Sequence, residues 1–270
     1  MFVELRGHRL WYERSGPTGA PRVLLMMGFG MSGAAWRPIA ERLRPEHDVV
    51  WFDPRGIGQS TAGDGPHGLP HLADDAAALL DHLGWPSAHL VGVSMGGMVA
   101  QQLALRHRAL ARSLTLIVSH GGPFNRTLPG PLGAWRFVLA NTRKGTGRVQ
   151  AMVKLLFPDH DLSSLLAEGL VQLDDLKVAS NAADPRIRLA HLRAIAAHHT
   201  LPALAALHDL PSLIVQADRD ILVPARCSAA LHGALPGSTL VRLTQAGHGA
   251  ISQFPDAVAA HLIAHVRAAN

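Results

Sequence analysis

A chain of 270 residues, 48% hydrophobic and 17% charged, can bury a full core as one large domain or a domain with an insertion, which excludes a disordered protein. Its single cysteine, Cys227, excludes an intramolecular disulfide and a cysteine-based zinc site, and reads as a small buried apolar side chain on a helix. The net charge of +5 does not make it a nucleic-acid binder: of 25 basic residues only Lys144, Lys154 and Lys177 are lysine, the arginines are spread along the whole chain, and aromatics are not interleaved with them.

Residues 1–16 carry charges throughout and contain no long apolar run, so neither a signal peptide nor a membrane span is expected, and the default location is cytoplasmic. Residues 2–5 and 10–14 read as two short strands turning at Gly7. Residues 23–27, VLLMM, form a continuous apolar run between Pro21 and Gly28, as a strand buried on both faces requires. A glycine-rich stretch leads into a helix through Leu43, and residues 49–52 are the next buried strand, closed by a loop with Asp53 and Arg55. Residues 71–83 have helical spacing and stop at Gly84. Strand 89–93 leads through Ser94 into helix 95–107, and strand 114–118 follows.

This alternation predicts an α/β protein with a mostly parallel sheet of eight strands covered by helices on both faces. From Pro123 to about Ala206 the alternation stops, and helical patterns are broken at Pro129, Pro131, Gly145, Gly147, Pro158 and Pro185. We expect 123–206 to be a helical cap inserted into a core made of 1–122 and 207–270. The core resumes with strand 213–217, helix 224–235, strand 239–243 and a terminal helix over 251–268.

The chemistry centres on residues 89–101, HLVGVSMGGMVAQ. A β-branched run ends at Val93, Ser94 sits between the close glycines Gly92 and Gly96, and a helix starts at once. A serine hydroxyl is a poor nucleophile unless it is held clear of the backbone beside a base and near donors for negative charge. The turn supplies the first condition, and the Met95 N–H at the helix N-terminus supplies one donor. Partners belong just after other parallel strands, because all the strand C-termini share one edge. Asp218 and Asp220 follow strand 213–217, and His248, between Gly247 and Gly249, follows strand 239–243. The order Ser94, Asp220, His248 is that of a nucleophile-elbow hydrolase.

With these residues in place, the chain outside the cap resembles the α/β-hydrolase fold family. In that family the acid lies four residues before the proline of a D-x-x-x-P turn, which implies Asp220 with Pro224 and leaves Asp218 a structural role. The resemblance also implies a second oxyanion donor, the Phe29 N–H, in Met27-Gly28-Phe29-Gly30. The family usually has histidine where this chain has Met27, so the loop is expected to be looser or supported in another way. Asp53 and Arg55 resemble the family's structural D-x-R-G-x-G-x-S loop. Related dehalogenases and epoxide hydrolases carry an aspartate nucleophile, which Ser94 argues against. The implied activity is a cofactor-independent serine hydrolase of small to medium carboxylic esters or lactones. Cofactor-free perhydrolases and carbon–carbon bond hydrolases use the same triad, and a receptor-like binding module is the non-enzymatic rival.

Gly28, His120 and Trp135 are expected to touch substrate, with core or loop packing as the alternative for the last two. Trp36 backs the oxyanion loop or simply packs in the core. His67/His71 and His261/His265 have the i,i+4 spacing that binds metal on a helix, yet no carboxylate converges on them, so we read them as solvated faces without a metal. GFG near residue 28 lacks the remaining features of a dinucleotide site, so no NAD is expected. Residues 123–158 hold Arg126, Arg136, Arg143, Lys144, Arg148 and Lys154 but no acid. They form a solvated face or recognise a carboxylate-bearing substrate. The expected partner is a small molecule, with neither nucleic acid nor membrane; no amphipathic membrane anchor is visible.

Overall fold

The computed structural model describes residues 1–5, 7–169 and 184–270. Its sheet has eight strands: β1 (Phe2–Leu5), β2 (His8–Ser15), β3 (Arg22–Met26), β4 (Asp48–Phe52), β5 (Ala88–Val93), β6 (Ala111–Ile117), β7 (Ser212–Ala217) and β8 (Thr239–Leu243). Their order is β1-β2-β4-β3-β5-β6-β7-β8; β2 is antiparallel to both its neighbours, and every other pairing is parallel. The central strand β5 lies between β3 and β6, with Met26 opposite Gly92 and Val93 opposite Ile117.

Each central strand has period two, so its apolar side chains split between two cores. Leu24, Met26, Leu90, Leu114, Leu116 and Ile214 enter one core, beneath helices α2 (Leu69–His82) and α3 (Met95–Arg106). Val23, Leu25, Val91, Val93, Leu213 and Val215 enter the other, beneath α1 (Arg37–Leu43) and the C-terminal helix. Helix α2 buries Leu69, Leu72, Ala73, Ala76, Leu79 and Leu80, a stripe at helical spacing, and ends as Gly84 takes φ +65.

Between β6 and β7 the described residues form only helices: α4 (Phe124–Thr127), α5 (Pro131–Thr142), α6 (Gly145–Leu156), α7 (Leu162–Ala167) and α8 (Pro185–Ala196). Helices α5, α6 and α8 begin at the breaks Pro131, Gly145 and Pro185, whereas α7 begins after Asp161, whose side chain caps it. The part of the expected cap at 170–183 lies outside the described residues.

The terminal helix is not continuous. Helix α9 (Ala225–Ala234) precedes β8, and the chain then makes a short α10 (Ala250–Gln253) and α11 (Pro255–Ala268). Phe254 takes φ −132 and ψ 53 between them, because the residue before a proline is pushed out of the helical region. No helix among the described residues is long and apolar enough to cross a membrane.

Candidate active site

Ser94 stands at the centre of the C-terminal edge of the sheet, at φ 54 and ψ −121. A non-glycine residue with positive φ is strained and persists only where its surroundings hold it. Here the Ser94 N–H donates to the Ile117 carbonyl at 2.9 Å, and the Ser94 carbonyl accepts from Ser119 Oγ at 2.8 Å. The flanking glycines are there for close approach: a Cβ on Gly92 would lie 2.3 Å from the Gly96 carbonyl oxygen, and one on Gly96 would lie 2.0 Å from that of Met26.

The structure brings the two predicted partners to this serine. His248 Nε2 is 3.0 Å from Ser94 Oγ, and Nδ1 is 2.6 Å from Asp220 Oδ2. Both side chains are buried, His248 at 7% exposure and Asp220 at 1%. The other carboxylate oxygen of Asp220 accepts from the Leu222 and Val223 N–H groups at 2.7 and 2.9 Å, which fixes its rotamer. With Nδ1 facing a carboxylate it carries the proton, and Nε2 is left to accept from the serine.

Asp218 takes no part. It accepts from Arg242 at 2.7 Å and Gln216 at 2.6 Å, and the Arg242 guanidinium holds its carboxyl below the usual range.

The two expected oxyanion donors come from the start of α3 and from the loop after β3. Met95 is the first residue of the twelve-residue α3 and is buried. Gly28 comes so close to the elbow that a Cβ there would lie 3.2 Å from Ser94 Cβ, which places the Phe29 loop beside Ser94. Met27 is buried and packs into the core with Trp36. Support for the loop comes from Asp53: its Oδ1 accepts from the Gly33 N–H at 2.7 Å and its Oδ2 from the Gln59 N–H at 2.8 Å. Burial raises the Asp53 pKa, and those two N–H groups oppose the shift. Arg55 in turn grips Asp75 with two nitrogens, at 2.9 and 2.6 Å, and anchors the loop after β4.

Ser94, His248, Gly28, Phe29 and His120 line one cavity of about 640 Å³. Its walls are mostly apolar and come from the sheet edge on one side and from α5, α6 and α8 on the other. His120 is buried; its Nδ1 accepts from the Gly122 N–H at 3.1 Å, and burial pushes its pKa down to about 4. It is therefore neutral near pH 7.

Trp135 is not brought to this cavity. It is 61% exposed, while Ala134, Phe137, Val138 and Asn141 of the same helix line the cavity. Those four fall at i, i+3, i+4 and i+7, and Trp135 lies off their stripe. Trp36 is fully buried in the core. The histidine pairs also differ from expectation: His71 is exposed, but His67, His261 and His265 are half-buried. His67 loses its solvent to α8, where its ring lies 6.0 Å from that of His191. Among the described residues no group of three or more His, Cys, Asp or Glu is placed to hold a metal.

Of the basic residues of 123–158, Arg148 on α6 lines the cavity, and with it lie two residues that the sequence did not single out, Asn141 on α5 and Arg188 on α8. The signal for Arg188 was its position one turn before Leu192 and two before Ile195, which line the same wall.

Over residues 21–255 the sequence matches the profile of a family described as the alpha/beta hydrolase fold. It is 34% identical over 246 residues to RutD of Caulobacter vibrioides, a protein provisionally named a carbamate hydrolase, covering 89% of this chain and 88% of that one. The structure is similar to that of an enol-lactonase from Burkholderia xenovorans, with a TM-score of 0.83 at 23% identity over 99% of this chain and 100% of the other. It is also similar to an esterase from a Rhodococcus species, with a TM-score of 0.85 at 19% identity over 100% and 98% of the two chains.

Proposed function

The chain belongs to the α/β-hydrolase fold family, and on that premise we propose that it is a serine hydrolase cleaving small to medium carboxylic esters or lactones through an acyl-enzyme on Ser94. The observation that carries this reading is His248 placed between Ser94 Oγ and the Asp220 carboxylate, at 3.0 and 2.6 Å.

His248 Nε2 takes the Ser94 proton as Oγ attacks the substrate carbonyl carbon. The electron pair of the C=O bond moves to oxygen, where the Phe29 and Met95 N–H groups receive the charge. Asp220 stabilises the imidazolium that forms. The imidazolium then protonates the leaving alkoxide as the C–O bond breaks, and the acyl group stays on Ser94. Water next gives a proton to Nε2 while its oxygen attacks the acyl carbon, and Ser94 leaves with that proton. These steps call on no cofactor. A mostly apolar cavity of about 640 Å³ suits a small or medium acyl chain, with Gly28 and His120 beside the reacting end. The described helices between β6 and β7 serve as the cap that excludes water from the acyl-enzyme.

The relationship to RutD favours a second reading, carbamates as substrates, since the same steps pass through a carbamoyl-serine. A series of p-nitrophenyl esters from acetate to decanoate, γ-lactones and p-nitrophenyl carbamate separates the two. Ester or lactone turnover that disappears in Ser94→Ala supports the first reading, and preferred carbamate turnover supports the second. A folded protein inert to all of them refutes both.

A further inference from the structure

The wall of the cavity contributed by the helices between β6 and β7 is chemically uneven. It carries two arginines, Arg148 and Arg188, and among the described residues that line the cavity there is no aspartate or glutamate. Both residues are half-buried. Arg188 has its position fixed: Nη2 donates to the Asn141 carbonyl at 3.3 Å and also to Asn141 Oδ1, while Asn141 Nδ2 donates to the Phe137 carbonyl at 2.7 Å. The Arg148 side chain has no hydrogen-bond partner among the described residues, and its Nε is sealed from solvent.

The protein gains nothing from this arrangement by itself. A buried donor without an acceptor is costly, and two like charges within mutual reach add to that cost. Burial lowers both pKa values, and at Arg148 the charge of Arg188 lowers it further. Arg148 is also the fourth residue of α6, at the end of the helix where the macrodipole disfavours a cation and favours an anion. Each of these costs is relieved by one ligand feature, a carboxylate lying between the two guanidiniums, whose planar donor forks match it.

Resting on the reading of Ser94 as the nucleophile, we propose that Arg148 and Arg188 form the anion-binding end of the cavity and that the substrate carries a free carboxylate remote from the bond that Ser94 attacks. The apolar wall between that end and Ser94 holds the connecting chain. The arginines set specificity, and their contribution appears as a preference for a charged substrate over its neutral counterpart.

The test compares kcat/KM for monomethyl adipate with methyl hexanoate, and for 6-acetoxyhexanoate with hexyl acetate, in wild type, Arg148→Gln, Arg148→Lys and Arg188→Gln. Wild type is expected to prefer the charged member of at least one pair by about 10- to 100-fold, the range of a hydrogen bond to a charged group. Either glutamine variant should erase most of that ratio and Arg148→Lys should keep part of it. Should Arg188→Gln fail to fold, the Arg148 variants decide the matter. Equal use of charged and neutral esters, with a ratio unmoved by Arg148→Gln, overturns the proposal and leaves the hydrolase reading standing. If no ester is turned over, the ester reading falls, and calorimetry of adipate with Ser94→Ala becomes decisive. Binding weakened at least tenfold by adding Arg148→Gln sustains the anion site, and binding that is absent or unchanged removes it.

Discussion

Gly249 lies directly under Phe157: a Cβ on Gly249 would be 2.4 Å from the Phe157 ring, and the Gly249 N–H donates to the Leu156 carbonyl at 2.8 Å. The other flank of His248 is just as closed, since a Cβ on Gly247 would meet Pro158 at 2.6 Å. The loop that presents His248 is thus clamped by the end of α6, which belongs to the helical segment between β6 and β7.

Gly249→Ala should therefore displace His248 from Ser94. A shift of about 1 Å costs on the order of 100-fold in rate, so kcat for a p-nitrophenyl ester should fall by about that much with little change in Tm. Combining it with Phe157→Leu should recover part of the loss. A Gly249→Ala enzyme with wild-type kcat would show that the clamp has no bearing on the histidine.

The two aspartates after β7 should separate cleanly. Asp220→Asn removes the carboxylate that fixes the His248 tautomer and should lower kcat by about 10³- to 10⁴-fold. Asp218→Asn loosens an ion pair with the exposed Arg242 and should leave kcat within about twofold, as such pairs contribute little. The reverse pattern in steady-state kinetics would reassign the acid.

Asp53→Ala strips the Gly33 and Gln59 N–H groups of their shared acceptor. Leaving buried donors unpaired should lower stability by about 2–4 kcal/mol in urea denaturation. Because Gly33 follows the Phe29 loop, kcat should fall as well. Unchanged stability would mean that water replaces the carboxylate without loss.

Four buried histidines make the fold acid-sensitive. Burial depresses His89, His120 and His191 to about 4 and His198 to about 3, all below the ordinary value of 6.5. Because the folded-state pKa values lie below the unfolded one, the unfolded chain binds more protons in between. The stability is fully present above pH 6.5 and is lost as the pH falls toward 4. Urea midpoints should drop steadily from pH 7 to pH 5, and His191→Phe, which replaces a histidine ring lacking a hydrogen bond among the described residues, should make the slope shallower. A flat profile over that range would show that these rings are not held neutral.

Much of the sheet was legible because its central strands are buried on both faces and are bounded by proline or glycine, as at Pro21 and Gly28 around β3. The elbow was legible because Gly92 and Gly96 are demanded by backbone contacts that tolerate no Cβ. The break at Phe254 was missed although Pro255 marks it, because apolar periodicity continues across it. Trp135 was expected to touch substrate, but the side of α5 that meets the cavity is that of Ala134, Phe137, Val138 and Asn141, which only the packing of the helix reveals. Arg188 was not assigned because its spacing with Leu192 and Ile195 marks a packed face without distinguishing a face that meets core from one that meets a cavity. Only the packing of α8 over the sheet edge makes that distinction.

Ser94 as an activated nucleophile is tested by labelling with a fluorophosphonate ester at pH 8, followed by peptide mass mapping. One covalent adduct is expected, on Ser94, abolished in Ser94→Ala and strongly slowed in His248→Ala. Folded wild-type protein with no adduct between pH 6 and 9 would contradict it, and would leave the fold as a binding module rather than an enzyme.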